Sequence, residues 1–278
     1  MFKPRNILVT GGSRGLGLGF VRRLVQRGHN VALTDISDKA ALVYSESTGL
    51  KSVIEELLPA PNRESDVKCI FKPADLTDNV EADGIINWAW SQLGYIDVII
   101  ANAGGDIVGE DAEASGGKPL VNNSQICSKS HLQVFNRNYL TCWNVITKIA
   151  PMMRDRSFGK IITISSVNAS VGMPTETAYS AAKAAVIQLT RSLAAEYREA
   201  GVSANCLMLG PTNTGRFRAT LKGRSAHDLR AFESKGRLTR IAEIDDACNV
   251  MEFLVEEKSD YISGQVIRVD GGLFSQPV

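Results

Sequence analysis

Tyr179 and Lys183 stand four residues apart in the run Tyr179-Ser180-Ala181-Ala182-Lys183. That spacing puts a phenol and an ammonium on one face of a helix. A phenol titrates near ~10 when unperturbed. A cation beside it favours the phenolate, which brings proton transfer towards neutral pH. The pair suits general acid–base work on an alcohol or a ketone. A single spacing of this kind also arises on ordinary helix surfaces, so its neighbours matter. Ser166 lies 13 residues before Tyr179, at the end of an apolar run, where its hydroxyl can hold a substrate oxygen beside the phenol. Asn138 lies a further 28 residues upstream, inside a long helical pattern.

A second constellation lies near the N-terminus. Thr10-Gly11-Gly12-Ser13-Arg14-Gly15-Leu16-Gly17 follows an apolar run and opens a helical one. Glycines in such a turn let the backbone approach a pyrophosphate, and the helix N-terminus offers free N–H groups and partial positive charge. Gly11, Ser13, Arg14, Gly15, Leu16 and Gly17 are therefore candidate coenzyme contacts. Asp35 ends the second apolar run, 18 residues after Gly17. A carboxylate there can accept from the adenosine ribose diol and repels a 2′-phosphate. Arg14 pulls the other way, because a guanidinium can pair with that phosphate. NAD is favoured and NADP stays open. Asp75-Leu76 and Asn102-Ala103-Gly104 follow the third and fourth runs, at the strand edge where open α/β sheets bind ligands. Each Asx residue can equally form a turn.

These residues need a scaffold that delivers them to one edge. Strands are expected at 6–10, 30–35, 67–72, 97–101, 160–165, 203–208 and 265–269. Helices are expected at 15–27, 50–58, 80–92, 130–154, 178–199 and 244–256. The strands are continuously apolar (IIT, VII, VIRV), as in a parallel sheet covered on both faces. The alternation predicts an α/β fold, a doubly wound sheet in one domain spanning 1–278. Two polar stretches interrupt it, 59–66 and 104–129. A loop of the second length is uncommon in a compact domain.

Composition narrows the partners. The chain of 278 residues carries 31 basic and 30 acidic side chains, a net charge of +1, so neither nucleic acid nor a membrane surface is indicated. No apolar run approaches the ~20 residues of a membrane helix, and the first residues lack the pattern of a secretory signal. Cys69, Cys127, Cys142, Cys206 and Cys248 form no CxxC. They read as buried free thiols of a cytoplasmic protein, not as metal ligands.

Taken together and in order, TGGSRGLG at 10–17, Asp35, Asp75, NAG at 102–104, Asn138, Ser166, Tyr179, Lys183 and YISGQVIRVDGG at 261–272 resemble the single-domain short-chain dehydrogenase/reductase family. The resemblance covers almost the whole chain. It implies a Rossmann-like sheet of seven mostly parallel strands flanked by helices. It implies hydride transfer between a nicotinamide coenzyme and a secondary alcohol or ketone, with Tyr179 as acid/base. Lys183 would lower the pKa of Tyr179 and bond the nicotinamide ribose, and Ser166 would orient the substrate oxygen. Asn138 would hold a water that links Lys183 to solvent. Asn102, Ala103 and Gly104 would line the coenzyme cleft with Asp75 and Leu76. Gly210, Thr212 and Thr214 would meet the nicotinamide end. A homo-oligomer, dimer or tetramer, built through the Asn138 and Tyr179 helices is also implied.

The chain departs from the family pattern in three places. Leu209-Gly210-Pro211 replaces the usual Pro-Gly after the sixth strand. The stretches near 45–66 and 105–129 are longer than usual, and 106–129 is expected either to rim the substrate pocket or to serve as solvent loop or subunit contact. Residues 214–236 resemble the family's substrate lid and are rich in Arg and Lys. A solvated basic face is the favoured reading there over an anion site, and His227 is expected on the surface. The substrate is expected to be a small polar alcohol such as a sugar or polyol. The alternatives are an NADP-dependent reductase of 3-oxoacyl thioesters or ketones, and a dinucleotide-binding sensor without turnover.

Overall fold

The computed structural model describes residues 3–44, 46, 49–58, 67–105, 122–221, 224 and 226–275. The strands are β1 (Asn6–Thr10), β2 (Asn30–Thr34), β3 (Cys69–Phe71), β4 (Val98–Ala101), β5 (Gly159–Ser166), β6 (Val202–Leu209) and β7 (Val266–Val269). The helices are α1 (Gly15–Gln26), α2 (Leu50–Leu57), α3 (Asn79–Leu93), α4 (Ser128–Phe135), α5 (Thr141–Asp155), α6 (Thr177–Glu196), α7 (Gly215–Ala219), α8 (Ala226–Glu233) and α9 (Ile244–Val255). All seven strands pair in parallel in the order β3-β2-β1-β4-β5-β6-β7.

The continuous apolar runs follow from that arrangement. Leu8, Ile99, Ile161 and Ala204 point to one face and pack with Ile85, Ile86, Ile146 and Ile149 from α3 and α5. Ile7, Val98, Ile100, Ile162 and Leu207 point to the other and meet Phe20, Leu24, Met251 and Leu254 from α1 and α9. Both faces are dry, so both sets of alternating side chains must be apolar. Burying each large side chain contributes ~2 kcal/mol. β7 differs: it is an edge strand, and all four of its residues are only partly buried. The VIRV run is thus half-covered, contrary to the expectation of burial on both faces, as it lies at the edge of the sheet.

The chain order reverses between β1 and β4, since β2 and β3 extend one way and β4 to β7 the other. Loops leaving the C-terminal ends of β1 and β4 part there and open a crevice, the place where such sheets take ligands. Three helices start on side chains that satisfy their first N–H groups. Asp78 accepts from Val80 and Glu81 at the start of α3, Thr214 accepts from Phe217 in α7, and Glu243 with Asp246 forms a reciprocal box at α9.

The single helix expected over 130–154 is two helices joined by a π-helical turn at Asn136–Leu140. The apolar period continues through the turn, which is why the interruption is not visible in the sequence. The cysteine expectation needs one correction. All five thiols are free, but Cys127 is exposed and lies 3.4 Å from Ser130 Oγ, because it precedes α4 on the surface. Burial pushes Cys69, Cys142 and Cys248 up to about 12. Of the two long stretches, residues 45, 47–48, 59–66 and 106–121 lie outside the described residues, as do 222, 223 and 225 of the lid. Among the described residues no helix is long and apolar enough to cross a membrane.

Candidate active site

A cleft of about 930 Å³ runs along the C-terminal ends of the strands. It is lined from the Gly-rich turn by Gly11, Arg14, Gly15, Leu16 and Gly17, and from the next strands by Asp35, Asp75 and Leu76. Asn102, Ala103, Gly104, Ser166, Tyr179, Lys183, Gly210, Thr212 and Thr214 complete the expected set. Two expected residues, Ser13 and Asn138, stand behind the wall and are 0% and 1% exposed. They act on the lining and do not form it.

The turn after β1 is shaped by glycine at two positions. Gly11 has φ +63°, and a Cβ there would sit 2.9 Å from the Ala103 backbone. A Cβ on Gly17 would collide with the Gly11 carbonyl oxygen. Asn102 clamps the turn from β4, its Nδ2 donating to Thr10 O (3.1 Å) and Gly11 O (3.0 Å). Ser13 turns inward to Asp35: its Oγ donates to Asp35 Oδ2 at 2.5 Å and its N–H to the same oxygen at 3.2 Å. Asp35 Oδ1 accepts from Ile36 N. Burial lowers the Arg14 pKa from its ordinary value, while neighbouring Asp35 acts to raise it and Arg216 to lower it further. Asp75 forms an Asx turn, its Oδ1 accepting from Thr77 N and Oγ1.

The candidate chemical centre draws on β5, α6 and the π-helical turn. β5 ends on Ser166, whose Oγ accepts from Asn168 N. α6 carries Tyr179 and Lys183 on one face, with Lys183 Nζ 5.8 Å from the centre of the Tyr179 ring. Lys183 Nζ donates to Ile164 O at 2.9 Å, which ties the ammonium to β5. Ser165 Oγ donates to Lys183 O, fixing the helix turn itself. The π-turn brings Asn138 behind Gly104: a Cβ built on Gly104 would lie 2.8 Å from Asn138 Oδ1 and 3.4 Å from Lys183 Nζ. Asn138 Nδ2 donates to Gly105 O (2.5 Å) and Val134 O (2.8 Å), and Oδ1 accepts from Gly105 N. Both amide hydrogens are used, so only an acceptor site remains on that side chain. π-turns recur at functional sites.

The model of the short chain dehydrogenase family matches residues 5–224. The chain belongs to that family. Among its relatives, the 3-oxoacyl-[acyl-carrier-protein] reductase MabA of Mycobacterium avium is 32% identical over 98% of this chain and 91% of the relative. The cyclohexanol dehydrogenase of Rhodococcus sp. is 30% identical over 96% and 94%. The crystal structure of levodione reductase superposes with a TM-score of 0.80 at 24% identity, covering 98% of both chains, a likeness of fold. As a short-chain dehydrogenase, the chain is an oxidoreductase acting on CH–OH groups with a nicotinamide coenzyme.

Two residues outside the expected set bear on this dehydrogenase's site. Asn122 is fully buried. Its Oδ1 accepts from Tyr179 N (3.1 Å) and its backbone oxygen from Ala178 N (3.0 Å). It thus supplies the first turn of α6 with acceptors, while Glu176, at the helix start, makes no cap and takes Asn168 Nδ2 instead. Asn122-Asn123-Ser124 reads in sequence as plain loop. The other is Glu46, a lining residue from the loop before α2. Of the basic residues in the lid, Arg216 and Arg224 line the cleft, whereas Arg230, Lys235 and Arg237 are exposed. Most of that charge is therefore a solvated face. His227 is on the surface, as expected.

Proposed function

We propose that the chain is an NAD-dependent dehydrogenase of a small polar secondary alcohol, of the sugar or polyol kind. The observation that carries the coenzyme choice is Asp35. Its carboxylate lines the cleft at the end of β2 and is anchored by Ser13 and Ile36. An anchored carboxylate accepts well from a ribose diol, and it penalises a phosphate dianion brought to the same place. The residues present fit a dinucleotide. The Gly15 N–H at the start of α1 already holds an anion, the Glu46 carboxylate, at 2.8 Å. The cleft is of ligand-pocket size. Polar lining by Asn168, Glu176, Arg224 and Asp228 supports a hydroxylated substrate.

When bound, the nicotinamide ring supplies or accepts the hydride. On this reading Ser166 Oγ donates to the substrate oxygen and holds it beside Tyr179 Oη. Tyr179 takes the hydroxyl proton during oxidation and returns it during reduction. The Lys183 ammonium favours the phenolate electrostatically, and its bond to Ile164 O keeps it in place. Asn138 Oδ1, with its amide hydrogens committed to Gly105 and Val134, accepts from the water that passes the proton outward.

Assembly as a homo-oligomer and residence in the cytoplasm belong to the same reading. Leu132 and Trp143 are exposed on α4 and α5, Trp143 stacking on Tyr139, and support a subunit contact on that face. The five free thiols support a reducing compartment.

A second reading, NADP-dependent reduction of a 3-oxoacyl thioester, draws on the Mycobacterium avium relative and on Arg14 in the cleft. Initial rates with NAD and NADP over a panel of polyols, sugars and hydroxy acids, with a 3-oxoacyl thioester run in reverse, separate the two. Turnover of the thioester with NADPH alone would overturn the first.

A further inference from the structure

We propose that Glu46 is an internal competitor for the coenzyme's diphosphate, a carboxylate that sets how tightly this enzyme holds its dinucleotide. The inference rests on the dinucleotide reading given above. Glu46 Oε2 accepts from Gly15 N at 2.8 Å, and Oε1 accepts from Gly215 N at 2.5 Å. Gly15 is the first residue of α1 and Gly215 the first of α7, so one carboxylate joins both lips of the cleft. Arg218 Nη2 stands 3.9 Å from Oε1. The side chain is 9% exposed, although its residue belongs to a loop.

The seat is fitted. A Cβ on Gly215 would meet Tyr44 Cβ at 2.5 Å and the Glu46 carboxyl carbon at 2.7 Å. Tyr44 in turn lies under the Arg14 guanidinium, 5.4 Å from ring centre to carbon. Glu46 therefore has two backbone donors and two nearby arginines, the kind of surroundings a phosphate selects. A diphosphate laid on the N-terminus of α1 needs the Gly15 N–H that Glu46 holds, and two anions cannot share it. Coenzyme must expel the carboxylate. The apparent dissociation constant is then the intrinsic one divided by the fraction of molecules in which Glu46 is out of its seat. The longer stretch between β2 and β3 thus delivers a tethered anion to the phosphate site.

The test is NADH binding, read by fluorescence or calorimetry on the full chain without substrate. Glu46→Ala removes the competitor and is expected to tighten NADH by about tenfold or more, a change of ~1.4 kcal/mol. Glu46→Gln keeps size and loses charge, and is expected to tighten it by less. Inorganic pyrophosphate is expected to follow the same order. In hydrogen exchange, the peptide containing Glu46 is expected to exchange faster when NADH is added to wild type. It should be fast from the outset in Glu46→Ala. If wild type binds NADH and both variants bind it equally well or more weakly, the competitor role is wrong while the dinucleotide reading stands. If wild type binds neither NADH nor NADPH, both fall.

Discussion

Lys183 Nζ lies 5.8 Å from the centre of the Tyr179 ring and is held there by Ile164 O, 2.9 Å away on the neighbouring strand. The ammonium is thus not a mobile surface charge. It is 5% exposed and points from α6 into the sheet edge where the cleft begins.

Removing the phenolic oxygen should separate chemistry from binding. Tyr179→Phe is expected to lower kcat by ~10²–10⁴-fold, the usual contribution of a positioned acid/base group. NADH should bind as tightly as in wild type. Retention of more than a tenth of kcat would remove Tyr179 from the reaction.

Asp35 should decide the coenzyme. Asp35→Ala is expected to lower kcat/KM for NAD by ~10-fold or more and raise it for NADP, because a hydrogen-bond acceptor and a repulsive charge disappear together. Ser13→Ala, which removes the 2.5 Å donor to Asp35, should move both constants in the same direction by less. Steady-state kinetics with both coenzymes checks this, and an unchanged NAD/NADP ratio would contradict it.

Asn122 should act on catalysis through Tyr179. Asn122→Ala leaves the Tyr179 N–H without its acceptor. The expected loss is ~1 kcal/mol of stability, as for a lost helix cap. A fall in kcat of about tenfold or more should accompany it, since small misplacements of reacting groups are costly. Asn122→Asp restores the acceptor and should recover kcat. A variant that loses stability alone, with kcat and its pH profile unmoved, would make Asn122 a structural residue only.

His29 should make the fold acid-sensitive. Burial, reinforced by Arg5, pushes its pKa from 6.5 down to about 4, and its Nδ1 accepts from Arg5 N. The folded chain prefers the neutral ring, so the unfolded chain binds more protons between those values. The contribution is complete above pH 6.5 and drains away as pH falls towards 4, up to ~3 kcal/mol. Urea midpoints at pH 7 and 4.5 should differ more in wild type than in His29→Gln. Equal differences would rule this histidine out.

The strands and the acid/base pair were legible because their signals are local. Runs such as Ile161-Ile162-Thr163 announce a doubly covered strand, and Tyr179 with Lys183 needs only helical spacing to meet. Asn102 was legible as a cleft residue but not as a clamp on Gly11, which depends on β1 and β4 lying side by side. Glu46 and Asn122 were silent. Their partners Gly215 and Tyr179 lie 169 and 57 residues away, and neither residue belongs to a repeating pattern. The coenzyme-side polar network is long-range chemistry, and periodicity does not encode it.

The π-helical turn at Asn136–Leu140 has a further bearing on how this enzyme tolerates change. Such a turn is a helix with one residue to spare. Excising a single residue there would let an unbroken α-ladder run from Ser128 onward with the flanking helices near their present orientation, but the bulge that sets Asn138 behind Gly104 would be gone. The apolar stripe of α5 would keep its place, and Asn138 would lose its contacts with Gly105. Length at this point is as tightly constrained as residue identity.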